Sequence, residues 1–360
     1  MTGTNPLKAS DYQDPDDTAR QAAEAADASI AASTNDSFNR LQDDLDIALI
    51  AAALAAGGWL AVRRLITIEM VTEAFRPTAA ALVNLQNEVG AEVMAGDVTT
   101  SGSVARPPVL NAAGLVATAQ DTVTDIVTTL PRSVIPLTYD PIATATVAGQ
   151  QQVQTAWLQR ITTTIEAVID QDIRQGLTNG MTAEDIARVI KATIGLTPRQ
   201  AAAVENFRRL LENGDAAALD RVLRDRRFDA SVQRLIDGGT IDQAKIDRMV
   251  QRYAERYQLH RAMVIAKTES LRATNAGRRA AWAQYADRTG SDVLRWWLTA
   301  ADERVCPVCS AIPLMNADGV PMGQPYATPD GPMMMPPEPH ANCRCTERFS
   351  VNPDAMQRAA

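Results

Sequence analysis

Aromatic side chains are scarce, at 4% of 360 residues, and the chain holds only two histidines, His260 and His340, and four cysteines. Few aromatics beside abundant alanine favour helix over sheet. Long apolar runs are also missing. The most apolar stretch, Ile47–Val62 (IALIAAALAAGGWLAV), contains Gly57 and Gly58 and runs into Arg63 and Arg64. A membrane span needs about 20 apolar residues, so a buried or partner-facing helix is expected there and membrane association is disfavoured. Residues 1–29 lack a basic start followed by an apolar core. No secretion is expected, and a reducing compartment disfavours disulfides.

What is present is ordinary for a soluble protein: 46% hydrophobic and 22% charged residues, in a chain long enough for two domains or one large one. The net charge of −8 argues against uniform coating of nucleic acid, but it is unevenly spread. Residues 1–50 carry ten acidic groups against Lys8, Arg20 and Arg40, whereas residues 188–295 carry twenty-one basic groups against thirteen acidic ones. The middle of the chain is therefore suited to face a polyanion, or to balance charges within a larger assembly.

Residues 1–40 read as an acidic mobile tail, with Asp14-Pro15-Asp16-Asp17 and a polar cluster at Ser33–Ser37. Residues 41–150 read as a helical and loop-rich region. Helical spacing runs from Leu41 to Phe75, Pro77 interrupts it, and a second stretch follows over Thr78–Met94. Asp97–Pro108 is a loop by composition, and helix and strand are not separable over Val109–Pro141.

Signals sharpen over residues 151–290. Gln151–Arg174 carries Val153, Trp157, Ile161, Ile165, Val168 and Ile169 on one side, with Gly176 and Gly180 as breaks. Thr182 is the expected cap of the next helix, with Glu184 and Asp185 in its first turn. Thr197-Pro198-Arg199-Gln200 predicts a capping box with proline at the first position, and that helix should end at Asn213–Gly214. Thr240-Ile241-Asp242-Gln243 repeats the box and opens a proline-free run to about Ala286, one long helix or two nearly collinear ones.

Residues 291–350 change character. Val293–Thr299 predicts a strand, and nine prolines between Pro307 and Pro339 forbid long helices. All four cysteines, Cys306, Cys309, Cys343 and Cys345, fall here, with His340. The Cys306-Pro307-Val308-Cys309 spacing lets two thiolates meet one ion on a tight turn, and His340-Ala341-Asn342-Cys343-Arg344-Cys345 offers three more donors. One structural zinc ion is expected. Cys306 and Cys309 are two of its ligands, and the other two come from His340, Cys343 and Cys345. His340 with Cys345, or all four cysteines, are the preferred sets, and spacing does not choose.

Redox chemistry at Cys306 and Cys309 is disfavoured because the pair does not open a helix within a strand–helix–strand unit. Glu338 and Glu347 leave a zinc-dependent nuclease as the rival, in loose likeness to treble-clef nucleases. With His340 on the metal, however, no histidine remains in the module to activate water. The expectation is a mainly α protein with helical N-terminal and middle regions, a small α+β zinc-stabilised C-terminal module and a tail at 351–360.

Asp302-Glu303-Arg304-Val305-Cys306-Pro307-Val308-Cys309, preceded by Trp297-Leu298-Thr299 and followed by Pro336-Pro337 and His340-Ala341-Asn342-Cys343-Arg344-Cys345, resembles the C-terminal signature of phage Mu F-like minor head proteins. Ile265-Ala266-Lys267-Thr268-Glu269 with Arg272, Asn275, Gly277 and Arg278, and Gly195-Leu196-Thr197-Pro198-Arg199-Gln200, are similar to that family as well. The resemblance covers about residues 170–348. Ala341 departs from a common proline and Lys267 from a common arginine. It implies a non-enzymatic minor capsid component inside the virion head near the portal, assembled in the host cytoplasm. Its implied partners are the portal protein and capsid or scaffold components, and its implied work is head assembly and genome packaging or ejection.

On the long helix, Thr268, Arg272, Asn275 and Arg279 recur at helical intervals, with Glu269 one turn before Arg272. This strip reads as bracing against the zinc module, or else as a docking or phosphate-contacting surface. Arg221, Arg224, Arg226 and Arg227 are the other candidates for DNA or partner contact. Asp220, Asp225 and Asp229 are interleaved with them, as in an ion-pair lattice. No small-molecule substrate is implied. A membrane-active ejection factor using Ile47–Val62 is a third class.

Overall fold

The structure, a computed structural model, describes residues 15–57, 59–99, 139–300, 302–338 and 340–351. Helix dominates, as the alanine-rich, aromatic-poor composition requires. The helices are α1 (Pro15–Asp43), α2 (Ile47–Gly57), α3 (Trp59–Leu65), α4 (Ile68–Thr99), α5 (Thr144–Thr178), α6 (Ala183–Thr193), α7 (Pro198–Glu212), α8 (Asp229–Ile236), α9 (Gln243–Thr289) and α10 (Pro307–Met315). Three short strands, β1 (Val293–Leu298), β2 (Val320–Pro321) and β3 (Thr346–Val351), and two single 3-10 turns at Ala216–Ala218 and Arg226–Phe228 complete the described elements. Among the described residues no helix is long and apolar enough to cross a membrane.

The described residues divide into two units. The first comprises Ala28–Ala80 and Gln151–Ala266; the second comprises Met1–Asp27, Ala81–Gln150 and Lys267–Ala360.

The expected tail over 1–40 is corrected from Pro15 onward, where α1 begins; residues 1–14 lie outside the described residues, and α1 enters the first unit at Ala28. The composition misleads because hydroxyls stand in for apolar groups on the buried stripe. Ile30, Thr34, Ser37, Phe38 and Leu41 are all buried. Thr34 donates to the Ile30 carbonyl at 2.7 Å and Ser37 to that of Ser33 at 2.8 Å, so neither is left unsatisfied. Phe38 meets Phe75 edge-on at 5.0 Å, and Phe75 meets Trp157 at 5.7 Å, the offset geometry that ring quadrupoles favour.

Pro77, expected to end a helix, instead lies inside α4. Its side is exposed, so water can serve the carbonyl that it leaves without an amide partner. The buried stripe Val71, Phe75, Thr78 and Ala79 continues through it without a break. The apolar stretch at 47–62 becomes two short helices. Asp46 Oδ1 caps α2 through the Ala48 amide at 2.7 Å, satisfying an amide that the helix itself cannot. Helix α2 packs on α3 and α6.

Gly176 does not break α5, which runs to Thr178. A Cβ there would overlap the Ile186 side chain, so glycine serves close helix approach. Thr182 caps α6 through the Asp185 amide, and Thr197 with Gln200 closes a full capping box on α7. The start of α9 differs from expectation: Asp242 rather than Thr240 receives an early helical amide, that of Ala244 at 3.3 Å. The core of this unit joins Val204, Phe207, Leu211, Ile246, Val250 and Tyr253.

In the second unit, α9 continues unbroken through Gly277 to Thr289. A Cβ on Gly277 would collide with the Gln86 carbonyl of α4. Tyr139 packs beside Met94 and Ala281 in a small core. The sheet has the order β2-β1-β3, both pairings antiparallel, with Trp297 opposite Glu347 and Arg295 opposite Phe349. Side chains alternate across a strand, so these four share one face. Trp282 of α9 stacks on Phe349 at 5.8 Å and 11°, covering that face. Most of the expected loop and undetermined segment over 97–141 lies outside the described residues, as does 352–360 of the expected tail.

Candidate metal centre

Cys306 ends the approach from β1 and caps α10. Its Sγ accepts the Cys309 amide at 3.3 Å. Pro307 takes the first helical position, where a missing N–H costs nothing. The pair therefore opens a helix after all, a correction to the sequence expectation, although the flanking strands are antiparallel. Cys309 sits one turn in and is buried; Cys306 is half-buried.

The second donor segment comes back over this helix. His340 Nε2 lies 3.1 Å from Cys306 Sγ and 3.4 Å from Cys309 Sγ. Its Nδ1 lies 2.9 Å from the Ala341 carbonyl, which fixes Nδ1 as the protonated nitrogen and leaves the Nε2 lone pair facing the thiols. Asn342 adopts a φ of 58°, a left-handed conformation that asparagine tolerates. Its amide donates to Thr268 of α9 at 3.0 Å. The reversal turns Cys343 inward, where its Sγ lies 3.8 Å from Cys309 Sγ. Cys345 is buried beyond it.

The donors form two groups that share Cys309. One is Cys306, Cys309 and His340; the other is Cys309, Cys343 and Cys345. All four cysteines are free thiols. Zinc with Zn–S of about 2.3 Å sets neighbouring sulfurs about 3.8 Å apart and a sulfur and a nitrogen somewhat closer. The Cys309–Cys343 and Cys309–His340 separations match those edges, and soft sulfur with imidazole nitrogen is the donor chemistry that zinc takes.

The thiols differ in acidity. A hydrogen bond from Cys345, aided by His340, draws Cys343 down to about 6 against the cost of burial. Burial opposes ionisation of Cys306, but the Cys309 amide and thiol and then His340 outweigh it, so its pKa falls. Burial pushes Cys309 up to about 12, and the bond to Cys343 raises Cys345. For His340 burial works downward, yet the Ala341 carbonyl and the thiolates raise it.

The strip on α9 is turned toward this segment. Asn275 Nδ2 donates to the carbonyls of Pro336, at 3.2 Å, and Cys345, at 3.4 Å. Arg279 donates to the Met334 carbonyl at 2.6 Å, and Arg272 pairs with Glu269 at 3.0 Å. Arg272 and Arg279, named from the sequence as possible outward contacts, are thus engaged within the protein. Glu347, nominated for water activation, is fully buried against Arg295 and Tyr326, and Glu338 accepts the Met334 amide at 2.7 Å. Tyr326 meets Trp297 edge-on at 5.3 Å, so that tryptophan serves packing.

In the first unit the arginine cluster is interlaced with acids. Arg224 forks onto Asp229 at 2.9 and 3.0 Å, and Arg227 holds Asp225 at 2.6 Å. Arg256 donates to the Arg224 carbonyl at 2.6 Å, and Arg226 is exposed. The Arg221 Nε is buried.

Sequence reasoning missed two pairings in the site's surroundings: Asp302 meets Arg344, and Arg295 meets Glu347. Each joins residues more than forty positions apart, and only the motif likeness marked Asp302 and Arg344. Thr268, expected on the bracing strip, does brace the donor segment, since its hydroxyl receives the Asn342 amide.

Residues 226–348 match the family described as Phage Mu protein F like protein. The match spans α8, α9, β1, α10, β2, the first half of β3 and all five donors, about a third of the chain. Gly195–Gln200, part of the resemblance seen in the sequence, lies outside it. No curated protein and no solved structure matches the chain significantly.

Proposed function

We propose that this chain is a phage head morphogenesis protein of the minor-capsid kind, a non-enzymatic adaptor at the portal vertex inside the virion head. In this reading it contacts the portal and capsid or scaffold components during assembly and packaging or ejection. One zinc ion, bound by Cys306, Cys309, His340 and Cys343, holds its C-terminal module. The observation that carries the reading is the coincidence of the Mu F-like match with a donor cluster braced on a long helix. This reading takes Cys343 as the fourth ligand ahead of the two sets preferred from the sequence, His340 with Cys345 and all four cysteines. It rests on the continuous contacts at 3.1, 3.4 and 3.8 Å from Cys306 through His340 and Cys309 to Cys343. When bound, zinc would supply a cross-link between the two segments.

The commitment of Glu347 to Arg295, and of Glu338 to a backbone amide, speaks against the nuclease alternative. Contact with packaged DNA is assigned first to exposed Arg226, with Arg221, Arg224 and Arg227 around it.

Purified protein should carry about one equivalent of zinc, and less than about half an equivalent rejects the metal. Cys343→Ser should lose it and Cys345→Ser should keep it; the reverse result exchanges their roles. Co-expression with the portal protein should yield a complex that survives size-exclusion chromatography. Failure to co-purify with portal rings counts against the adaptor role without touching the metal.

A further inference from the structure

Arg344 stands between Cys343 and Cys345 and meets the Asp302 carboxylate as a fork, Nη1 to Oδ2 at 2.5 Å and Nη2 to Oδ1 at 2.6 Å. Asp302 belongs to the other donor segment. Its Oδ1 accepts the Arg304 amide at 3.0 Å, and its carbonyl accepts the Val305 amide at 3.2 Å. This turn delivers the chain into Cys306. One carboxylate therefore shapes the approach to the first two thiols and grips the residue that separates the last two.

The pair is about one-third exposed on each side, at 35% and 34% of the side chain. An isolated ion pair with that exposure adds little to stability. Two parallel hydrogen bonds between planar groups, however, fix both distance and orientation. The covalent link between the donor segments runs through thirty residues, Ser310 to Pro339 in the sequence, and passes by way of the rest of α10 and β2. The same carboxylate is held well below the usual range, first by its bond from Arg344 and against the cost of burial, so it stays charged across the neutral range.

We infer that Asp302, acting through Arg344, is a positioning residue of the metal site: the fork latches the Cys306–Cys309 segment to the His340–Cys345 segment and slows release of the ion. The inference rests on the zinc reading above. Asp302 touches no donor atom, so its effect comes from holding the two segments at ligand distance. Partners of this kind typically change metal affinity about 10- to 100-fold when removed.

The test uses the full-length zinc protein and follows zinc transfer to a chromophoric chelator. Asp302→Asn and Arg344→Gln should each speed release by about tenfold or more. The double variant should be no faster than the worse single one, because both changes break one latch. Asp302→Glu, which keeps the charge, should recover part of the loss. In the cobalt-substituted protein, Asp302→Asn should alter the visible d–d bands while the helical melting transition stays in place. Release within about twofold of wild type in both single variants, or effects that simply multiply in the double, would overturn the latch. Absence of zinc from the wild type overturns the metal reading and the latch together; zinc present with unchanged release in the variants overturns the latch alone.

Discussion

Arg295 and Glu347 meet at 2.6 Å with both side chains fully buried, on the face of the sheet that α9 covers. Burial pushes the Glu347 carboxyl up, and Arg279, Arg295 and the Tyr326 hydroxyl bring it back toward the charged form. Arg295 also donates to the Met334 carbonyl at 2.8 Å, so it cannot swing away to solvent if its partner is lost.

Removing one side of that pair should therefore be expensive. Glu347→Ala strands a buried guanidinium and should destabilise the protein by about 3–5 kcal/mol in urea denaturation. A loss below about 1 kcal/mol would mean that Arg295 finds other partners.

Asp172 of α5 gives a pH dependence of definite sign. Burial raises it to about 7, against the bond from Thr193 and with help from the charge of Glu205. The Thr193 hydroxyl has one hydrogen, yet the Val189 carbonyl lies 2.8 Å away and Asp172 Oδ2 lies 2.5 Å away. A proton on Asp172 satisfies both contacts. The folded pKa lies above the unfolded one, so its contribution is fully present below the unfolded pKa and lost as pH rises through about 7. The expected loss between pH 4 and pH 8 is on the order of 3–4 kcal/mol. Asp172→Asn, whose amide replaces that proton, should flatten the profile and be more stable than wild type at pH 8. An unchanged slope would show that Asp172 ionises freely in the folded protein.

At the contact of α4 with α9, Gly277→Ala places a methyl group on the Gln86 carbonyl. Helix propensity favours alanine by about 1 kcal/mol, but overpacking against backbone costs about 1–3 kcal/mol. A net fall in melting temperature is expected, and a rise would show that the two helices separate easily.

Chelation should act on one part of the chain. With zinc removed, near-ultraviolet signals from Trp296 and Trp297 should change, while far-ultraviolet helical signal is largely kept. Trp297 shares a buried cluster with Cys309, Cys343 and Cys345, which is why it should report the loss. Collapse of the whole helical signal would contradict a metal role confined to this cluster.

Features that depend on a few neighbouring residues are legible in the sequence. Thr182 and Thr197 cap where their hydroxyls and following acids or amides predict, and Val293–Leu298 alternates as a strand should. The five donors are legible by spacing, although their pairing is not, because it depends on how Asn342 turns the chain. Helix α1 is not legible, since its buried face is built partly from Thr34 and Ser37, whose polarity resembles a solvated tail. Pro77 misleads because the rule against internal proline weakens on an exposed helix side. Arg295–Glu347 depends on strand register and Asp302–Arg344 on a fold-back across some forty residues, neither of which local patterning contains.

Cys306 uses a single sulfur for two tasks, ending the first turn of α10 and lying within reach of His340. With zinc as the ion, coordination and helix start then compete for, and jointly orient, the same lone pairs. Alkylating that sulfur would fray a helix as well as remove a ligand. Shape and ion would be acquired as one event, so the fraction of chains with a completed donor cluster would follow the free zinc available as the chain folds.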